Sequence, residues 1–320
     1  MQNETSIRPV EEASPAEQEQ SVQHGPKWVF FGSDGLRAGW SAVLFVAIFF
    51  LLNQLADVVE AVLRLPTLYP GVPASPAAAL VFELANVGAV ILATWIMALI
   101  EGRAIRTYGY SGRARLIRFL CGCVWGFVAL SIMVGALWKA HFLAFDATLI
   151  HGANAWMYGF AWLSIFILTG IFEESLLRGY LQYTLTRGIG FWWGALLMSI
   201  LFGAIHVPNS GESPVGLFSA GAVGLVFCIS LWYTGSLWWA IGFHATWDWA
   251  QTFFYGTPDS GMIARGSFMS EHPTGPLLWS GGPTGPEGSL YIVPLLLIMA
   301  LAMWLWWGRR GVTTAYRQDV

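Results

Sequence analysis

The chain has 320 residues, of which 56% are hydrophobic, 15% aromatic and only 11% charged, and its mean hydropathy is +0.57. That composition is too apolar for a soluble domain of this length and excludes one, leaving an integral membrane protein. The net charge of -3 identifies no partner class, because the basic residues are sorted by loop rather than gathered on one surface, and no nucleic acid is expected as a partner.

In chain order, residues 1–35 are rich in Glu, Gln, Ser and Pro with little to bury, and read as a disordered cytoplasmic tail. Eight apolar stretches follow, each near the roughly 20 residues that span a bilayer as a helix. They cover about 39–59, 78–100, 116–138, 154–172 with a continuation, 189–206, 214–233, 235–255 and 289–307. The expected fold is all-α, a polytopic membrane protein with a transmembrane domain over 36–310 and a short cytoplasmic tail over 311–320. The Gly-, Pro- and Ser-rich loop at 256–288 is expected outside and loosely folded.

Basic residues test this topology, since they collect in cytoplasmic loops. Of the sixteen, only Arg64, Lys139 and Arg265 fall in the segments assigned outside; the rest, Arg178 among them, fall inside. Both termini are therefore expected in the cytoplasm. Cys121, Cys123 and Cys228 lie within spans and read as small packing residues.

Ionisable residues within spans carry the functional signal, because each costs about 2.5–3.5 kcal/mol at a helix centre on insertion scales. Asp57, Glu60 and Glu83 are read as lying near water at outer helix ends, and Asn53 and Gln54 as hydrogen-bonding between helices. Glu173, Glu174, His206, His244 and Asp248 resist such dismissal, and they lie on the fourth, fifth and seventh spans. If the fourth helix runs on to about Arg187, Glu173 stands roughly 21 Å from the cytoplasmic turn and His206 roughly 25 Å up the returning helix, at 1.5 Å per residue. His244 and Asp248, four apart, share a helix face. Their depth comes out as much as two turns lower, a gap that helix tilt can absorb. Glu174 precedes Arg178 by four in the favourable order for an ion pair, which leaves Glu173 as the free carboxylate for general-base work.

These residues form three ordered motifs: EExxxR at Glu173, Glu174 and Arg178; FxxxH at Phe202 and His206; HxxxD at His244 and Asp248. In them the chain resembles the CPBP family of intramembrane proteases, which includes the type II CAAX prenyl endopeptidases and the bacterial Abi proteins. The motif core spans 154–255. The resemblance implies an eight-helix protease domain in a bacterial cytoplasmic membrane that cleaves membrane-associated peptides. It further implies that Glu173 and His206 activate water while His244 and Asp248 stabilise the transition state, with Arg178 and Phe202 in support.

Position 248 is Asp, where the CAAX endopeptidases have Asn. An ionised carboxylate cannot donate to an oxyanion, so Asp248 must be protonated, orient His244 or bind a metal. The expectation is a divalent metal, zinc, held by Glu173, His206, His244 and Asp248. Two other classes compete with the protease: a proton- or ion-coupled transporter, since such residues also build proton relays, and a catalytically inactive scaffold or immunity protein.

Overall fold

A computed structural model describes residues 27–32, 35–69, 71–112 and 114–308. The chain divides into two compact units at Arg37/Ala38. In the first, a short helix α1 (Lys27–Phe30) leads into a hairpin of β1 (Phe31–Gly32) and β2 (Gly35–Leu36). Most of the expected N-terminal tail, and all of the expected C-terminal one, lie outside the described residues.

The second unit holds a helix at every one of the eight expected places. They are α2 (Ala38–Leu63), α3 (Pro76–Glu101), α4 (Arg115–Lys139), α5 (Gly152–Glu174) with α6 (Gln182–Ile189), α7 (Phe191–Ile205), α8 (Pro214–Thr234) and α9 (Trp238–Trp249). After β3 (Leu143–Thr148) between α4 and α5, and β4 (Met269–Pro273) and the turn α10 (Leu277–Ser280) beyond α9, the last described helix is α11 (Ile292–Trp307). Five of the described helices, with α5 and α6 taken as one, are long and apolar enough to cross a membrane. Two more, α7 and α11, are shorter apolar helices. The fold is all-α and polytopic.

Local chemistry sets several of these boundaries. Ser75 accepts a hydrogen bond from the Ala78 amide at 3.2 Å, Pro76 occupies the first turn, and Gly102 closes α3 at φ 64°. Ser213, Pro214 and Gly235 do the same for α8. In each case the cap satisfies an amide that the helix cannot, and glycine takes the left-handed backbone that a side chain resists.

At one end of the bundle Glu101 gathers Tyr180 at 2.5 Å, Tyr108 at 3.1 Å, and Arg103 and Arg187 at 3.7 and 4.0 Å. Arg118 donates to the Thr234 carbonyl there at 2.9 Å. The segments expected to be cytoplasmic thus meet in space. Arg178 departs from that group. It is 1% exposed inside the protein because α5 continues past Glu174 through a π-helical stretch, Ser175–Leu181. Asn53 and Gln54 also differ from expectation, bonding along their own helix to the Phe49 carbonyl and to Asp57.

Helix α9 is the central one, buried along most of its length. Its closest neighbour is α4, and glycines permit the approach. A Cβ on Gly122 or Gly126 would run into the α9 backbone at Trp239 and Phe243, and one on Gly242 into the Phe119 carbonyl. With lipid outside, such contact between small residues is a main source of helix association. Gly126→Val is therefore expected to lower the thermal unfolding midpoint in detergent, by a cost of about 1–3 kcal/mol or more. Gly135→Ala on the same helix, where an added Cβ meets nothing within 4 Å, should be neutral or slightly stabilising. Equal effects from the two would refute the packing argument.

The 256–288 segment corrects its expected looseness. Strand β4 pairs antiparallel with β3 from Leu143↔Pro273 to Thr148↔Met269. Gln251 donates to the Pro258 carbonyl at 2.7 Å, and Ser260 donates to Glu287 from its amide and hydroxyl at 2.6 and 2.7 Å. Its glycines make turns within a folded cap.

Candidate active site

Helices α5, α7 and α9 deliver the three motifs to one cavity of about 860 Å³, lined by Glu173, Phe202, His206, His244 and Asp248. Its other walls include Trp162, Phe166 and Phe227, and loop residues from 68–69, 71–74, 208–211 and 258–263, with Pro283 and Glu287, close over it. Those loops lie at the end of the bundle away from the Glu101 cluster.

His244 is the hub. Its Nδ1 lies 3.1 Å from Glu174 Oε1, while its Nε2 lies 3.5 Å from Glu173 and 3.4 Å from Asp248. Carboxylates at both ring nitrogens suit an imidazolium, which donates from both. The seventh helix thus brings His244 level with Glu173 and Glu174 of the fourth. Close packing helps, since Gly170 of α5 faces the Ile241 carbonyl of α9, one turn before His244.

Behind the hub lies a fully buried ion pair. Arg178 Nη1 meets Glu174 Oε1 at 3.1 Å, with neither side chain exposed. The guanidinium lies over the Phe202 ring at 4.3 Å, a cation–π contact with the FxxxH phenylalanine. Space for it comes from α8, where a Cβ on Gly224 would collide with Nη2. Glu174 thus holds Arg178 with one carboxylate and reaches His244 with the same oxygen. The adjacent Glu173, about 100° around the helix, faces the cavity with 19% of its side chain exposed.

His206 ends α7, and its Nδ1 lies 2.7 Å from the Phe202 carbonyl. A carbonyl can only accept, so Nδ1 carries the proton and Nε2 presents a lone pair, able to take a proton. Both α5 and α9 pass into π-helical turns just past the site, Ser175–Leu181 and Ala250–Tyr255. Such turns re-aim side chains and occur often at functional positions.

Three cavity carboxylates were not foreseen. Glu83, dismissed from the sequence as close to water, is 8% exposed and lines the cavity within electrostatic reach of Glu173 and Asp248. Asp259 and Glu287 come from the folded cap over 256–288. Burial raises both above the usual carboxylate range, with Asp248 adding to the shift at Asp259 and Glu212 to that at Glu287. The signal for Glu83 was present, since an acid one and a half turns inside an apolar helix already calls for a partner.

The expected metal ligands are not set out as a site: among the described residues no group of three or more His, Cys, Asp or Glu could hold a metal ion. Glu173 and Asp248 gather at His244, while His206 is anchored through Nδ1 to the Phe202 carbonyl, which leaves Nε2 as its ligand atom.

Residues 154–250 match the family model for type II CAAX prenyl endopeptidase Rce1-like proteins. The chain carries an Rce1-like domain of the CPBP family. No curated protein matches the chain. The match begins within α5 and ends one residue past α9, so the Rce1-like domain contains all three motifs, and Glu83, Asp259 and Glu287 are contributed from outside it. At the family level this match supports an intramembrane protease, a class whose substrates are in general membrane-associated peptides.

Proposed function

We propose that the protein is an endopeptidase that hydrolyses peptide bonds of membrane-associated substrates with water activated by Glu173 and His206. The observation that carries this reading is the hub: one histidine between Glu173 and Asp248, oriented from behind by a buried Glu174, in a cavity that also holds His206.

In the proposed reaction Glu173 takes a proton from water, and the resulting hydroxide attacks the scissile carbonyl. His206 Nε2 accepts a hydrogen bond from that water and aligns it. Charge develops on the carbonyl oxygen, where a hydrogen bond from His244 Nε2 stabilises it. Asp248, as an anion 3.4 Å from that nitrogen, balances the imidazolium and needs no proton of its own. Collapse of the intermediate breaks the C–N bond as Glu173 returns its proton to the leaving amine. Both termini are assigned to the cytoplasm of a bacterial cell, with the cavity capped from the outer side; the gathering of Arg103, Arg118 and Arg187 at the opposite end supports that orientation.

The test is product analysis in proteoliposomes made with heavy-oxygen water. A hydrolase leaves heavy oxygen in a new C-terminal carboxylate, whereas a transporter or scaffold yields no new terminus. Zinc remains the competing reading from the sequence. With the ligands arranged as they are, hydrolysis is expected to survive exhaustive chelation. Loss of activity on chelation, restored by zinc and accompanied by about one zinc per chain that His206→Ala and His244→Ala both lose, would establish the metalloprotease instead.

A further inference from the structure

The cavity holds more acidic side chains than hydrolysis requires. Beyond Glu173 and Asp248 it is lined by Glu83, Asp259 and Glu287, and no lysine or arginine is among the described residues that line it. Arg178 does not offset them, being engaged with Glu174 behind the hub.

The three additional acids are held in place rather than loosely displayed. Glu287 accepts two hydrogen bonds from Ser260, and Asp259 accepts one from Thr252 at 3.0 Å. Glu83 differs in a telling way. It is more than nine-tenths buried, it lines the cavity, and its Oε2 has no hydrogen-bond partner. A carboxyl oxygen without a partner in a largely apolar wall is costly unless the group is protonated or a cation supplies its counter-charge. The same cavity is lined by Trp162, Phe166 and Phe227, surfaces on which the methylene stem and the head of a basic side chain both pack favourably.

We propose that this cavity selects peptides bearing a lysine or arginine next to the cleaved bond, with Glu83, Asp259 and Glu287 receiving the cationic head. The proposal rests on the endopeptidase reading above and adds a substrate class to it. It also has a negative side. A substrate recognised by its free C-terminal carboxylate would bring a like charge into this acidic cavity and is disfavoured.

Binding tests this separately from cleavage. The probe is a fluorescent single-span alanine–leucine peptide with one test residue, scanned through the positions that border its apolar stretch. It is titrated into Glu173→Gln protein in nanodiscs. At the best position, lysine should bind about tenfold or more tighter than acetyl-lysine, and glutamate weaker than either. In Asp259→Asn/Glu287→Gln protein the lysine preference should fall to about threefold or less while acetyl-lysine binding holds, which also reports an intact cavity. If that double variant loses the acetyl-lysine peptide too, Glu83→Gln carries the same criterion. Equal binding of lysine and acetyl-lysine peptides at every position overturns the proposal. Charge-selective binding without cleavage by the wild type would instead overturn the endopeptidase reading and leave this one standing.

Discussion

Glu173→Gln is expected to lower peptide hydrolysis by about 10²–10⁴-fold, the usual contribution of a positioned general base. The substitution keeps size and shape, so the unfolding midpoint should change little. Glu173 projects into the cavity, where its carboxylate lies 3.5 Å from His244 Nε2, a nitrogen that Asp248 also faces. Removing one of two carboxylates at that nitrogen leaves the hub assembled. The loss should therefore fall on kcat, with peptide affinity retained, because the base acts on the water and not on ground-state binding. Initial rates and equilibrium binding on the same preparation separate the two. Activity near wild type would mean that another group, His206 or a metal-bound water, is the base. Transport that continues in Glu173→Ala protein while bound peptide stays intact would favour the transporter reading.

What the sequence made legible follows from the range of the forces involved. Helix positions came from apolar runs, because a bilayer demands them over lengths that a local window captures. The motif residues stood out because charge within such a run is expensive. Harder to see was anything decided by distant partners. The continuation of the fourth helix and the Glu174–Arg178 spacing were legible, yet Arg178 was counted with the cytoplasmic charges because nothing local shows the π turn, or that Gly224 of α8 clears room for a guanidinium. The 256–288 segment looked unstructured because Gly and Pro dominate it. Glycines at positive φ, among them Gly256, Gly261 and Gly285, are what let it fold back, locked by Ser260 to Glu287 and Gln251 to Pro258. Glu83 was misjudged for the opposite reason: depth from a helix end was taken as access to water, whereas the loops over the cavity bury it.

Arg178→Met should be the most destabilising single change at the site. Arg178 and Glu174 are both fully buried, so deleting the cation removes the guanidinium from a carboxylate that then has His244 for counter-charge in a medium that solvates it poorly, at a cost of about 3–5 kcal/mol. Replacing both, as Glu174→Leu/Arg178→Met, removes that carboxylate as well, and well-packed apolar residues commonly restore such a site to near its original stability. Activity should not return with it. Glu174 Oε1 is also the acceptor 3.1 Å from His244 Nδ1, and without it the imidazole loses the contact that fixes its tautomer and aim. Misplacement of that kind costs roughly 100-fold, even when substrate still binds. The double variant should thus recover its unfolding midpoint yet stay low in kcat at a near-normal KM. Gly224→Ala gives an independent check, since its added methyl meets Arg178 Nη2 and should perturb the same ion pair without altering any charge. If Arg178→Met unfolds at the wild-type temperature, the pair is not what holds this core together. If the double variant regains full activity, Glu174 is not what orients His244, and the hub must be held from the cavity side by Asp248 and Glu173 alone.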